Sequence, residues 1–92
     1  MDKACQQVEI VNQRGLHARA SAKFVNAVAE LPDGVDVQVA KDGTHAAGGS
    51  ILGLMMLGAA KGDRVEITVT GTEAASTLAR LVAMVADGFG ED

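Results

Sequence analysis

The chain contains no tryptophan or tyrosine, one cysteine and one proline in 92 residues. Its only aromatic side chains are Phe24 and Phe89, so the core has to be assembled from Val, Leu, Ile, Ala and Met. A lone Cys5 excludes an internal disulfide, and with no special electropositive setting around it in sequence it is a bystander thiol. That usage points to a reducing, cytoplasmic setting. No apolar run approaches the roughly 18 residues of a membrane span. The opening Met1-Asp2-Lys3-Ala4-Cys5 lacks the apolar core of a secretory leader. A formal charge of −4 argues against a nucleic-acid protein, which would normally show a basic face. Repeats, linkers and low-complexity stretches are also missing, and the length suits one domain over residues 1–92.

What is present is clear hydrophobic periodicity. Residues 7–12 alternate as a first strand. Residues 18–30 form a helix with Ala20, Phe24, Val28 and Leu31 on one face, ended by Leu31-Pro32-Asp33-Gly34. Val35, Val37 and Val39 repeat with a period of two, and Asp42-Gly43 then signals a hairpin into a short strand at His45-Ala46-Ala47. Ser50 is placed to cap a second helix over residues 51–57, stopped by Gly58, with Leu54 and Leu57 facing the core. Residues 64–70 alternate with Val65, Ile67 and Val69 inward. Gly71 turns the chain, Thr72 can cap, and a last helix starting at Ala74 stops by Gly88. The order βαββαβα predicts an α+β fold, an open-faced two-layer sandwich. Its four-stranded antiparallel sheet carries three helices on one face, with a later strand inserted between the first two in a split β-α-β arrangement.

Two stretches carry chemistry. In Gly15-Leu16-His17-Ala18-Arg19 the chain leaves a strand, turns at glycine and starts a helix, whose first amides lack intrahelical partners and attract anions. An imidazole nitrogen must be unprotonated to attack phosphorus, and the class value of about 6.5 supplies that form at neutral pH. Arg19 adds a permanent guanidinium that would face the transferred dianion, and Arg14 is close enough in sequence to help draw an anion in. No magnesium-binding carboxylate cluster and no phosphate loop accompany His17, so the site reads as a relay without a nucleotide of its own. His17 and His45 lack a carboxylate or thiol at ligand spacing, so no metal and no cofactor is expected. Ser50 doubles as a cap and as a candidate phosphorylation site, where two negative charges beside an apolar patch would repel a partner. That patch is Ile51, Leu52 and Met55, since the helix carries more apolar residues than one buried stripe can take.

Two motifs, Gly-Leu-His-Ala-Arg at 15–19 and Ser-Ile-x-Gly-x-Met-x-Leu-Gly at 50–58, together resemble the HPr family. These are the histidine phosphocarriers of the bacterial phosphoenolpyruvate-dependent phosphotransferase system of sugar transport. The resemblance spans about residues 6–88. It implies that His17 takes a phosphoryl group on Nδ1 from Enzyme I and passes it to Enzyme IIA proteins, without independent turnover, and that Arg19 stabilises the group. It further implies regulatory phosphorylation of Ser50 by an HPr kinase/phosphorylase, and a docking surface of Leu16, Ala20, Ile51, Leu52 and Met55 on a monomer. A regulatory, nitrogen-branch paralogue acting by phosphorylation-dependent binding is the alternative. The family pattern His-x-Arg-Pro is broken here by Ala20, and Gly49 stands where a basic residue is common. An alanine in a first helical turn restores an amide donor and leaves the helix in place.

Overall fold

Strand β4 (Arg64–Thr70) buries Val65, Ile67 and Val69 on one side and leaves Glu66, Thr68 and Thr70 half-buried on the other, the period that organises the sheet. The computed structural model describes residues 2–91. In it, β4 lies antiparallel between β1 (Lys3–Glu9) and β2 (Asp36–Lys41), and β2 pairs antiparallel with β3 (Thr44–Ala47), giving the order β1-β4-β2-β3. The first two strands therefore run the same way with β4 inserted between them, as the split arrangement predicts. Helices α1 (Ala18–Ala29), α2 (Ile51–Met56) and α3 (Ala74–Ala86) cover the sheet's apolar face. A single 3-10 turn (Gly88–Gly90) follows α3.

The core is aliphatic apart from two aromatic plugs. Phe24 from α1 and Phe89 from the final turn are both buried and belong to the same core cluster as Ile10, Ile67, Val69, Leu54 and Val85. In α1 the expected stripe holds, with Ala20 and Phe24 buried and Val28 and Leu31 packed partly against the core. In α2, Leu54 and Leu57 are buried as their spacing predicts.

Two expectations are corrected. The first strand occupies Lys3–Glu9, not 7–12, because the whole length of β4 offers it a partner, from Lys3 opposite Thr70 to Glu9 opposite Arg64. Ile10 is buried beyond that strand, its amide donating to Asp63 O at 2.8 Å and its carbonyl accepting from Gly62 N at 2.8 Å. Thr72 does not cap α3: the N-cap is Glu73, left-handed at φ 56° and without a side-chain cap. Among the described residues no helix is long and apolar enough to cross a membrane.

Candidate functional site

The turn before α1 is fixed by glycine geometry. Gly15 has φ +63°, and a Cβ there would stand 2.3 Å from Ala59 O. Only glycine lets this backbone lie against residues 59–60, where the Leu16 amide donates to Ala59 O at 3.0 Å. Asn12 closes the same turn. Its carbonyl accepts from Gly15 N at 3.2 Å, and its side-chain Nδ2 donates to Gly15 O at 2.9 Å. The loop is thereby locked before the helix begins.

His17 is the N-cap of α1, its extended backbone at φ −74° and ψ 179° leading into Ala18. The Arg19 amide donates to its Nδ1 at 3.3 Å, so this ring nitrogen faces the helix N-terminus. The other ring nitrogen, Nε2, lies 2.7 Å from Glu91 Oε2. This partner, 74 positions away, is one that no local sequence pattern announces. Glu91 Oε1 in turn accepts from Asn12 Nδ2 at 3.1 Å. Burial pushes the Glu91 carboxyl up, but the hydrogen bonds from Asn12 and His17, with the nearby charges of His17 and Lys23, outweigh it and hold it below its ordinary value. Asn12 itself is buried, and its Oδ1 has no partner among the described residues. Turning the amide over would aim that oxygen at the carboxylate and at Gly15 O, so the unpaired orientation is the better one.

Around the ring lies a shallow cleft of about 380 Å³ whose lining includes Arg14, His17, Arg19, Lys23 and Glu91. Three of the eight Lys and Arg residues of an acidic protein thus converge on one small surface. Neither Arg14 nor Arg19 forms an ion pair with any described residue, and both are exposed. Lys23 donates to Phe89 O at 2.7 Å, tying the final turn to α1. Chemically, the arrangement offers one ring nitrogen to an electrophile, the Arg19 amide that already donates to it and two guanidinium groups without ion-pair partners for an incoming dianion.

Ser50 is the N-cap of α2, its Oγ accepting from Gly53 N at 2.9 Å. Ile51, Leu52 and Met55 are exposed, as expected, and Met56 joins them at 73% exposure, the most open large apolar side chain of the group. The expectation that Leu16 and Ala20 add to this surface is corrected. Leu16 turns into the core, where it lines the same interior space as Leu54, and Ala20 opens the buried stripe of α1 with no accessible surface. His45 stands in β3 opposite Ala40, at the far edge of the sheet from β1.

Comparison with known proteins gives one family throughout. The family model described as "PTS HPr component phosphorylation site" matches residues 4–87. The chain is 41% identical over 86 residues to a phosphocarrier protein HPr of Neisseria meningitidis, with 94% of each covered. It is 39% identical over 90 residues to the phosphocarrier protein NPr of Escherichia coli, covering 95% of this chain and 96% of that one. The crystal structure of an HPr from Thermoanaerobacter tengcongensis superposes with a TM-score of 0.86 at 32% identity, covering 100% of this chain and 99% of the other.

Proposed function

The chain belongs to the HPr family of phosphocarrier proteins, and on that premise we propose that it accepts a phosphoryl group on His17 Nδ1 from phosphorylated Enzyme I and hands it to Enzyme IIA proteins. The observation that carries this reading is the placement of Nδ1 as N-cap acceptor of the Arg19 amide, at the mouth of a cleft lined by Arg14 and Arg19. The Nδ1 lone pair forms the new N–P bond as the bond from phosphorus to its donor breaks, the electron pair leaving with the donor. Release of the Arg19 amide from Nδ1 frees it to donate to a phosphoryl oxygen, and the Arg19 guanidinium offsets the dianion's charge. In this reading the protein works as a relay, as a monomer and without turnover of its own, as the phosphocarrier family suggests.

Docking falls to the exposed face of α2, Ile51, Leu52 and Met55 together with Met56. The loop after that helix touches residues 15–16, which brings the apolar face beside the turn that presents His17. Phosphorylation of Ser50 by an HPr kinase/phosphorylase would put a dianion at the edge of this face and repel partners without unfolding the helix it caps.

Incubation with phosphoenolpyruvate, Mg²⁺ and catalytic Enzyme I, read by intact mass, tests the proposal. One acid-labile phosphate on the wild type and none on His17→Ala is the expected result. No phosphate, with Enzyme I active on another carrier, sinks it. A nitrogen-branch regulatory role is the second reading, because the chain is 39% identical to an NPr over 96% of its length, beside 41% to an HPr. Which Enzyme IIA proteins drain the phosphate from the labelled chain separates the two branches.

A further inference from the structure

Both peptide planes that flank the His17 Cα are held by one residue, Ser21. The Ser21 amide donates to His17 O at 2.9 Å, the bond that the fourth residue of any helix makes to its N-cap. Its hydroxyl reaches one residue further back and donates to Leu16 O at 3.2 Å. That carbonyl accepts no backbone amide among the described residues, so the hydroxyl is its partner. The two carbonyls belong to the peptides before and after His17. Their planes set its φ of −74° and ψ of 179°, and with them the direction of its Cα–Cβ bond.

On other grounds a serine suits this position poorly. Ser21 has no accessible surface and stands with Ala20 and Phe24 on the buried side of α1. Alanine is the better helix former and brings no polar group for burial to penalise. A serine inside a helix is neutral to unfavourable for the helix itself. What the hydroxyl supplies is a hold on the carbonyl of Leu16, a residue only 7% exposed. Ala20 adds no such restraint, since its φ is free where a proline's would be fixed. On the N-terminal side the loop is tied only as far as the Leu16 amide, one peptide short of His17.

We infer that Ser21 is a positioning residue for phosphoryl transfer, its hydroxyl holding the Leu16–His17 peptide so that Nδ1 points along the line of attack. This rests on the carrier reading of His17. The N–P bond forms as the donor's bond to phosphorus breaks, which needs the Nδ1 lone pair on that axis. A displacement of about 1 Å there can cost about 100-fold in rate. The ring is carried by the Cα–Cβ bond, so an error in the peptide plane reaches Nδ1. Without the hydroxyl, Leu16 O is left buried and unpaired, and the peptide swings to find another donor. Ser21 is wholly buried, so it meets neither donor nor partner protein and acts through His17 alone.

The test compares full-length wild type, Ser21→Ala and Val69→Ala, with backbone spectra confirming each fold. Val69→Ala is a core truncation opposite Ala4 and Val37, toward the far end of β4 from the turn. The 13C shift of the Leu16 carbonyl reads the hydrogen bond and should move upfield in Ser21→Ala alone. Rapid-quench transfer from phosphorylated Enzyme I, over a range of carrier concentrations, separates docking from chemistry. Ser21→Ala is expected to lower the saturating rate roughly 3- to 30-fold while the half-saturating concentration stays within about twofold of wild type. Val69→Ala should match wild type in both. An unmoved Leu16 shift in Ser21→Ala, a wild-type saturating rate, a loss that Val69→Ala shares, or a loss confined to the half-saturating concentration overturns the inference. Failure of the carrier reading is distinguishable: wild type then takes no phosphate from Enzyme I, and the inference falls with it although the Leu16 shift still reports the Ser21 bond.

Discussion

At the scale of single residues, His17 is defined by what its two ring nitrogens meet, and Glu91 is the group whose charge is tied to that contact. Asn12, His17 and Lys23 face its carboxyl from the turn before α1 and from α1 itself. Their hydrogen bonds and charge hold its pKa below the ordinary 4.5 despite the opposing effect of burial. A depressed carboxyl pKa stabilises the fold above the unfolded value, and that contribution is lost as pH falls through the folded one. The thermal midpoint of wild type should therefore exceed that of Glu91→Gln at neutral pH, with the gap closing below about pH 4.5. A gap that persists unchanged to pH 3 in thermal melts would contradict the assignment. Gly15 sets a separate requirement. Gly15→Ala forces a side chain into a left-handed backbone, at about 1–2 kcal/mol. The Cβ would also meet Ala59 O at 2.3 Å, so unfolding in urea should show a loss larger than that figure.

At the scale of elements, α2 sets a buried side chain and an exposed apolar face within six residues. Ser50→Ala removes a side-chain cap and should lower stability by about 1 kcal/mol, a drop of roughly 4–8 °C in Tm for a domain this size. Leu54→Ala empties a buried position and should cost about 2–5 kcal/mol. Leu52→Ser, at a side chain 69% exposed, should stay within about 0.5 kcal/mol of wild type in the same melts while slowing transfer to partner proteins. Equal transfer rates for Leu52→Ser and wild type would remove this face from the docking surface. This helix was legible in sequence because a serine, a compact apolar run and a glycine mark its start, body and end. Strand β4 and helix α1 were legible from their periods of two and of three to four. The bounds of the first strand are not legible in sequence, because alternation at Val8 and Ile10 carries past its end while its open face, Cys5 and Gln7, carries no apolar signal. The family resemblance puts Leu16 and Ala20 on the docking surface, but a motif says nothing of which way a turn points its side chains, and both are buried.

At the scale of the whole molecule, the decisive feature is the return of the chain's far end to its beginning. The sequence marked His17 and Arg19 through a local motif, but Glu91 lies 74 positions from His17 and has no period, cap or spacing to betray it. Only a folded core can bring it there, through a buried Phe89 and the Lys23 strap. The same folding sorts charge. The net value is −4, yet Arg14, Arg19 and Lys23 gather at one cleft while Lys41 is paired with Asp42 and Asp63. An acidic molecule with one cationic mouth orients itself toward an anionic phosphoryl donor before contact, and such steering is screened by salt. The rate of phosphoryl acceptance should therefore fall steeply as ionic strength rises from about 0.01 M to 1 M, where the screening length shrinks from about 30 Å to 3 Å. Arg14 is exposed and pairs with no described residue, so Arg14→Gln should leave Tm unchanged, slow acceptance at low salt and flatten the salt dependence. Rapid-quench measurement of single transfers from Enzyme I across that range decides the matter. Parallel salt curves for wild type and Arg14→Gln would mean that Arg14 plays no part in drawing the donor in, and that the field at this mouth comes from Arg19, Lys23 and the helix terminus.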